Sequence, residues 1–229
     1  MIDNAIKKGG KNKYWRTTHK FGIELPHSIE EALAIDRRTN TNFWRKAIEK
    51  ELSKVKVAWE PRDDFDVNEV RSGKALIGYT EIKCHIIFDV KMDFTRKARF
   101  VAGGHMTDAP ASVTYSSVVS RNSIRLGFMI AAQNRLDVLS CDISNAYLNA
   151  PCREKIWFLG GDEVGADIGK VLVLTRALYG LKSSGASWRA MLAYTLQNFG
   201  FIPTVADPDV YQRKNTKPYG QEYYELLMV

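Results

Sequence analysis

The sequence is poor in cysteine and has no long hydrophobic run. Its 229 residues contain three cysteines, Cys84, Cys141 and Cys152, without a C-x-x-C spacing, so we expect no disulfide framework and a reducing compartment. No stretch approaches the roughly 20 apolar residues that a membrane-spanning helix needs. The basic N-terminus lacks the apolar core of a secretory signal. We therefore expect an intracellular protein that is neither secreted nor inserted in a membrane.

Motifs of several common enzyme classes are also missing. The sequence has no G-x-x-x-x-G-K-[ST] phosphate loop and no G-x-S-x-G nucleophile elbow. Its four histidines show no metal-ligand spacing with the cysteines, which argues against a zinc site. What remains is a globular composition, 45% hydrophobic and 26% charged, with a net charge of +7. This excess of basic residues predicts polyanionic partners.

Hydrophobic periodicity predicts an α+β chain behind a basic arm. Residues 1–40 are the predicted arm with a short helix, which begins at a capping box of Ser28 and Glu31. Residues 41–229 are the main unit and include a charged loop at 62–74. Helices are predicted at 44–59, 121–134 and 186–199, and strands at 84–90, 97–102, 136–143, 154–159, 171–175 and 223–229. The last of these strands has no predicted hairpin partner.

The segment 139–149 carries the strongest chemical signal. Alternation places Asp142 at the end of the predicted strand 136–143, and the small polar residues after it would open a helix. A carboxylate in this position suits a hard cation such as Mg²⁺, and the N–H groups of Asn145 and Ala146 at the helix start would favour phosphate. Tyr147 lies within reach of the same pocket. The alternative is a surface aspartate that caps a helix and a tyrosine packed in the core.

The second signal is the basic face of the predicted hairpin 84–102. Lys97 and Arg99 share one side of a strand and Lys91 lies on the facing strand, so the three cations could converge on a phosphate chain. The alternative is a solvated edge, because exposed lysines often protect an edge strand from pairing with other chains.

The third signal is a turn rich in glycine and serine at 176–188, which leads into an amphipathic helix. Gly180 and Gly185 have no side chain, so another backbone or a nucleic acid could approach closely there. The alternative is an ordinary strand-to-helix turn. The residue spacing alone is compatible with both interpretations.

Together these windows resemble the reverse transcriptase of copia-type long-terminal-repeat retrotransposons. The resemblance rests on six segments that run in family order across most of the chain. They are FWRKAIEKE (43–51), KARFVAGG (97–104), TYSSVV (114–119), CDISNAYLN (141–149), LYGLKSSGASW (178–188) and ADPDVY (206–211). The aspartate segment and the LYGLK segment are the most specific of them.

The resemblance implies a right-hand polymerase that copies an RNA template onto a DNA primer from dNTPs, with two Mg²⁺ ions. Residues 41–229 would supply the fingers and part of the palm, an incomplete antiparallel sheet with flanking helices. Such an enzyme would act in a cytoplasmic particle or in the nucleus. The family's activity is RNA-directed DNA synthesis by nucleotidyl transfer.

The resemblance also implies roles for the residues after the predicted strand 136–143. Asp142 would be the first catalytic aspartate and a ligand of both Mg²⁺ ions, and Ile143 would add its backbone carbonyl. Asn145 and Ala146 would present N–H groups to the triphosphate. Tyr147 would be the steric gate that excludes a ribose 2′-hydroxyl.

Further residues would surround the incoming nucleotide. Lys97 is the closest match to the fingers residue that grips the triphosphate. The others are two more cations of the hairpin and three residues of the LYGLK loop, namely Lys91, Arg99, Tyr179, Gly180 and Lys182.

Two features depart from the family pattern. Gly185 stands where the family usually has proline. In the family, Tyr-Val-Asp-Asp follows the strand that ends here at Val229 and supplies the remaining catalytic carboxylates, and neither a thumb nor a ribonuclease H domain fits in this length. The hypothesis is a truncated reverse transcriptase that does not polymerise alone. The alternatives are a non-catalytic nucleic-acid-binding remnant and a pseudogene fragment.

Overall fold

The computed structural model describes residues 18–108 and 114–229, so most of the predicted basic arm lies outside the described residues. The described chain is a mixture of helices and small sheets. Its α-helices are α1 (Ile29–Thr39), α2 (Phe43–Val55), α3 (Val67–Arg71), α4 (Arg121–Asn134) and α5 (Ser184–Asn198). Its strands are β1 (His19–Lys20), β2 (Ile23–Glu24), β3 (Trp59–Pro61), β4 (Thr80–Glu81), β5 (Cys84–Val90), β6 (Arg96–Ala102), β7 (Ile156–Leu159), β8 (Val171–Leu174), β9 (Ile202–Pro203), β10 (Val210–Thr216) and β11 (Glu222–Met228). Single 3₁₀ turns occupy Lys56–Ala58, Gly104–Met106 and Ala146–Asn149.

Four sheets connect these strands. β1 pairs with β2 and β5 pairs with β6, each as an antiparallel hairpin. A four-stranded sheet has the order β3-β8-β7-β4, in which only the β4–β7 pair is parallel. A three-stranded antiparallel sheet has the order β11-β10-β9. No helix in the described ranges combines the length and apolar character that spanning a bilayer requires.

The main hydrophobic core lies between α2 and the β5–β6 hairpin. Alternation along β6 directs Ala98, Phe100 and Ala102 inward, where each is at most 4% exposed. Trp44 of α2 packs edge-on against Phe88 of β5, with ring centroids 5.5 Å apart. This packing fixes α2 across the hairpin, and Lys97, Arg99 and Val101 on the opposite face of β6 are half-buried.

Asp36 of α1 holds the start of α2 in place. Its buried carboxylate accepts hydrogen bonds from the backbone N–H of Trp44 (3.3 Å) and of Arg45 (2.8 Å) and from the hydroxyl of Thr41 (3.0 Å). The first turn of an α-helix has N–H groups without intrahelical partners, and a carboxylate satisfies them. α1 itself begins as predicted, because Ser28 accepts from the N–H of Glu31 at 3.1 Å.

Replacing Asp36 with alanine is expected to lower the free energy of unfolding by about 2 kcal/mol, because buried N–H groups lose their acceptor. Urea denaturation followed by circular dichroism would measure the change. Asp64→Ala is the control, since Asp64 is an exposed carboxylate paired with Arg62, and it should change stability much less. Equal losses in the two variants would contradict the proposed capping role of Asp36.

Several predicted elements are confirmed and others are corrected. The hairpin, the helix at 121–134 and the strands β7, β8 and β11 form where periodicity places them. The predicted helix 44–59 ends at Val55, and Trp59 belongs to β3. The predicted loop 62–74 contains α3, because the side chain of Asp66 accepts from the N–H groups of Asn68 and Glu69 and begins a helix.

The predicted strand 136–143 is not formed. No strand in the described part of the chain pairs with it, and alternation without a hydrogen-bonded neighbour does not make a strand. Leu139 is consequently 90% exposed. The predicted helix after Asp142 is only the 3₁₀ turn Ala146–Asn149, since Pro151 forces the residue before it into extended backbone.

The last strand has a partner, contrary to prediction. β11 pairs with β10 over seven residues, from Val210 opposite Met228 to Thr216 opposite Glu222. The sequence did not reveal this hairpin because the polar outer half of β10 lacks an alternating apolar pattern.

Asp207 connects this sheet to the start of α4. Its carboxylate accepts hydrogen bonds from the hydroxyl of Ser123 (2.6 Å) and from the N–H groups of Ser120 (3.0 Å) and Asp209 (3.1 Å). These bonds, that of Ser123 foremost, lower the pKa of Asp207 to about 2. Because the folded pKa lies below the unfolded value of roughly 3.9, this group stabilises the fold above about pH 4 and loses that effect as the pH falls towards 2.

Ser123→Ala is expected to raise the pKa of Asp207, because the largest of the three hydrogen bonds is lost. A carboxyl ¹³C NMR titration of the folded protein would give the midpoint directly. Ser72→Ala, at the exposed end of α3, is the control and should leave the midpoint where it is. An unchanged midpoint in Ser123→Ala would show that the hydroxyl does not donate in solution.

Candidate functional site

The face of the β5–β6 hairpin that points away from α2 carries a group of cations. Lys97 and Arg99 are two residues apart on β6 and therefore share a face, opposite Asp89 and Ile87 respectively. Lys91 immediately follows β5, and its N–H donates to the carbonyl of Thr95 across the hairpin turn (3.0 Å). The predicted basic face of the hairpin is confirmed.

This face forms one wall of a cavity of about 790 Å³. Residues of α2, of the segment 142–148 and of the segment 177–179 complete the lining. Residues that are distant in sequence thus meet in one place. The cavity is large enough for a nucleotide, since pockets for small ligands typically measure about 300–1,000 Å³.

Most of the residues singled out from the sequence line this cavity. The ones that do are Lys91, Lys97, Arg99, Asp142, Ile143, Asn145, Tyr147 and Tyr179. Ala146, Gly180 and Lys182 do not line it, although each is adjacent in sequence or nearly so to a residue that does. The N–H groups of Asn145 and Ala146 donate to no other residue within the described ranges.

Tyr147 and Tyr179 pack against each other at the end of the cavity. Their ring centroids are 4.8 Å apart, and the guanidinium of Arg99 lies 4.7 Å from the centroid of the Tyr179 ring. An aromatic pair and a cation–π contact each fix the orientation of the ring. Each contributes roughly 0.5–1 kcal/mol to stability. Tyr179 is therefore held between the hairpin and Tyr147, and it couples the position of one to the other.

The loop that carries Tyr179 is docked tightly on the end of β6. The N–H of Ala102 donates to the carbonyl of Tyr179 (2.8 Å), and Gly180 has a positive φ of +96°. A Cβ at Gly180 would stand 2.1 Å from the carbonyl oxygen of Ala102. Of the two predicted reasons for a glycine here, the close approach of another backbone is the one observed.

Glu154, which the sequence did not single out, fixes the other side of this loop. Its carboxylate accepts from the N–H (3.0 Å) and hydroxyl (2.6 Å) of Ser183 and from the hydroxyl of Thr107 (3.3 Å). The ammonium of Lys182 donates to the carbonyl of Thr107. Lys182 is thereby engaged in the loop's own structure. No sequence signal marks Glu154, because its partners lie 47 and 29 residues away.

The cavity is strongly positive. Seven cationic side chains line it against three carboxylates, those of Glu51, Asp93 and Asp142. The pKa of Lys97 is lowered by burial first and then by repulsion from Arg99 and Lys91, an effect that Glu51 and Asp89 partly oppose. Such mutual repulsion is relieved by an anion, so the arrangement suits a phosphate-bearing ligand.

Within residues 18–108 and 114–229, no group of three or more His, Cys, Asp and Glu side chains is placed to hold a metal ion. Asp142 is exposed at the cavity, whereas Glu51 accepts from the N–H of Phe100 (3.0 Å) and Asp93 from that of Thr95 (3.0 Å). Asp142 is thus the one carboxylate lining the cavity without a hydrogen-bond partner in the described ranges.

Sequence reasoning also missed part of the cavity wall. Lys46, Lys50 and Lys54 of α2 line it, and their spacing of four residues puts them on one helix face. The four-residue spacing is visible in the sequence, whereas hydrophobic periodicity marks only the apolar face of α2.

Comparison with known proteins defines the class. A family model described as reverse transcriptase (RNA-dependent DNA polymerase) matches residues 63–219, so the chain belongs to the reverse transcriptase family. No solved structure matches the chain.

Among curated proteins, the chain is similar to three transposon polyproteins of Saccharomyces cerevisiae (strain ATCC 204508 / S288c). They are the Transposon Ty1-DR4, Ty1-DR6 and Ty1-JR2 Gag-Pol polyproteins, each 31% identical over 153 residues, or 66% of this chain. The matched region spans only 9%, 8% and 8% of those polyproteins. These relatives support the copia-type assignment made from the sequence motifs.

Proposed function

We propose that residues 41–229 form the nucleotide-binding fingers and the first part of the palm of a right-hand, RNA-directed DNA polymerase. The observation that carries the proposal is the positive cavity in which Asp142, Tyr147, Tyr179, Lys97 and Arg99 meet. The sequence resemblance assigns these residues to one site, and they come from three separate segments of the chain. RNA template, DNA primer and dNTP are the proposed partners.

Each residue contributes a distinct interaction in this proposal. Lys97 and Arg99 hold the triphosphate through charge-assisted hydrogen bonds, with Lys91 as a further cation at the hairpin turn. Tyr147 presents its ring to the sugar and rejects a 2′-hydroxyl by steric overlap. Tyr179 keeps that ring in place through the tilted ring contact, with centroids 4.8 Å apart. Asp142 supplies one carboxylate towards the Mg²⁺ ions of the family.

The proposal includes the expectation that these 229 residues do not polymerise by themselves. Two metal ions about 3.5–4 Å apart require more carboxylates than Asp142 alone. In a primer-extension assay with Mg²⁺ and dNTPs on an RNA template, we expect no product above background from the 229-residue chain. Robust extension would contradict this part of the proposal without affecting the nucleotide-binding part.

Nucleotide binding tests the site directly. Fluorescence anisotropy of labelled dTTP with Mg²⁺ should show saturable binding to the native chain, and Lys97→Ala combined with Arg99→Ala should weaken it about tenfold or more. The control is Lys74→Ala combined with Lys155→Ala, two exposed lysines outside the cavity, which should bind like the native chain. Tyr147→Ala should narrow the preference for dTTP over UTP. Absence of nucleotide binding by the native chain would overturn the proposed function.

A non-catalytic nucleic-acid-binding remnant is the second candidate. It is favoured by the cavity's seven cations, against which Asp142 is the one lining carboxylate without a partner in the described ranges. It predicts salt-dependent binding of RNA or DNA without specific binding of dTTP. The same anisotropy assay, run with an oligonucleotide and with dTTP, separates the two functions.

A further inference from the structure

Gly185 lies at the start of α5, beside the hydroxyl end of Tyr147. A Cβ at this glycine would stand 4.0 Å from the Tyr147 Oη and 3.2 Å from the Cβ of Ser116. The first of these distances is an ordinary van der Waals contact. The nearest atoms thus belong to two side chains, whereas Gly180 faces a backbone carbonyl. A side chain at position 185 would therefore touch Tyr147, and glycine leaves that place empty.

The described contacts of Tyr147 restrain its ring and not its hydroxyl. The ring packs against Tyr179 with centroids 4.8 Å apart, and Arg99 in turn holds the Tyr179 ring. Within the part of the chain that the structure describes, the Tyr147 hydroxyl forms no hydrogen bond. The hydroxyl end of the ring can therefore shift towards Gly185 when a ligand presses on it.

The backbone does not require glycine at this position. Gly185 is the second residue of α5 and does not have a positive φ, so its conformation is one that other residues adopt readily. Alanine is favoured over glycine in a helix. Ser116, the tighter neighbour, is exposed and lies outside any helix or strand, so it can give way by the few tenths of an ångström that a Cβ would need. What glycine contributes here is the space beside Tyr147.

That space bears on how well the site distinguishes the two kinds of sugar. In the proposed function the Tyr147 ring rejects a 2′-hydroxyl by steric overlap, and overlap is costly only where neither group can move aside. A side chain that lacks neighbouring atoms on one side gives up few contacts when it moves. The empty place at Gly185 therefore lowers the penalty for a ribose, and a Cβ there would raise it.

We propose that Gly185 is a positioning residue that relaxes the selection against ribonucleotides, because it leaves the hydroxyl end of Tyr147 without support. The inference rests on the proposed function and deepens it, since it concerns the substrate range of the same site. Gly185 does not line the cavity and acts through Tyr147. The site then takes both deoxyribonucleoside and ribonucleoside triphosphates, with a modest preference for the former.

The test compares dUTP with UTP, because these two nucleotides differ only in the 2′-hydroxyl. Isothermal titration calorimetry in the presence of Mg²⁺ gives both dissociation constants for the native chain and for Gly185→Ala. The native chain should bind dUTP less than about tenfold more tightly than UTP. Gly185→Ala should widen this ratio about fivefold or more through weaker binding of UTP, and its affinity for dUTP should stay within about twofold of the native value.

Three further variants separate support of the Tyr147 ring from a general change in α5. Asn198→Ala, at the exposed far end of α5, also raises helix propensity and should leave the ratio unchanged. Gly185→Ser places a Cβ at the same point and should widen the ratio. In a Tyr147→Ala background, Gly185→Ala should have no effect on the ratio, because no ring remains to be supported. Thermal unfolding checks that each variant is folded.

An unchanged ratio in both Gly185→Ala and Gly185→Ser would overturn this inference, and so would a wider ratio that persists without the Tyr147 ring. Equal losses of dUTP and UTP binding in Gly185→Ala would also overturn it, since Gly185 would then support the cavity as a whole and not the selection of the sugar. Failure of the native chain to bind either nucleotide would instead overturn the proposed function. The two failures are distinguishable, because every outcome against the inference alone requires that the native chain binds dUTP.

Discussion

Gly180→Ala is expected to lower the free energy of unfolding by about 4 kcal/mol and to abolish nucleotide binding. Alanine resists the positive φ of +96° at this position, at a cost of roughly 1–2 kcal/mol. Its Cβ would also stand 2.1 Å from the carbonyl oxygen of Ala102. A strand carbonyl cannot move aside as a flexible side chain can, so the overlap adds a further cost of roughly 1–3 kcal/mol.

Relief of that overlap would lift the loop from β6. The hydrogen bond from Ala102 to the carbonyl of Tyr179 would break first. Tyr179 would then leave its place between Arg99 and Tyr147, which is why binding should fail together with stability.

Gly220→Ala is the matched control for this prediction. Gly220 has a φ of +82°, yet a Cβ there meets no atom within 4 Å among the described residues. Only the conformational cost applies, about 1 kcal/mol. Thermal unfolding should therefore show a small shift for Gly220→Ala and a several-fold larger one for Gly180→Ala. Shifts of equal size would mean that the loop does not dock on β6 as described.

The sequence predicts those parts of the fold in which local pattern and tertiary packing agree. The β5–β6 hairpin is such a case, because alternation is unbroken on both strands and its apolar face meets α2. Segment 136–143 shows the converse. Its residues alternate from Leu139 to Ile143, but a strand also needs a neighbour, and the position of a neighbour is not encoded locally.

Some residues of the site could also be predicted from the sequence, and others could not. The two-residue period of the strand predicts that Lys97 and Arg99 share a face. The motif CDISNAYLN at 141–149 identifies Asp142 and Tyr147. Glu154 could not be predicted, because it and its partners Thr107 and Ser183 lie far apart in the sequence and follow no periodic pattern. Lys46, Lys50 and Lys54 of α2 could have been found from their four-residue spacing, which a helix turns into a single face.

A fusion that places the family's Tyr-Val-Asp-Asp segment after Val229 is expected to gain primer extension, and Asp142→Asn in that fusion should slow it about 10³-fold. Asparagine keeps the size of the side chain and removes the charge that the proposed metal site needs. The rate of single-nucleotide addition, measured under single-turnover conditions, gives the effect of the substitution on the chemical step. The fusion should also bind dTTP as the 229-residue chain does, because the cavity is already assembled without the added segment.

Asp93→Asn in the same fusion separates a specific role of Asp142 from general electrostatics. Both carboxylates line the cavity, but Asp93 accepts the N–H of Thr95 within its own turn, whereas Asp142 has no such partner in the described ranges. Loss of charge alone would therefore affect both variants alike, and loss of a metal ligand would affect Asp142→Asn only. Because Asp142 supports no described contact, its substitution should leave the unfolding temperature unchanged. A thermally intact Asp142→Asn fusion that still extends the primer at the native rate would refute the catalytic assignment of this residue.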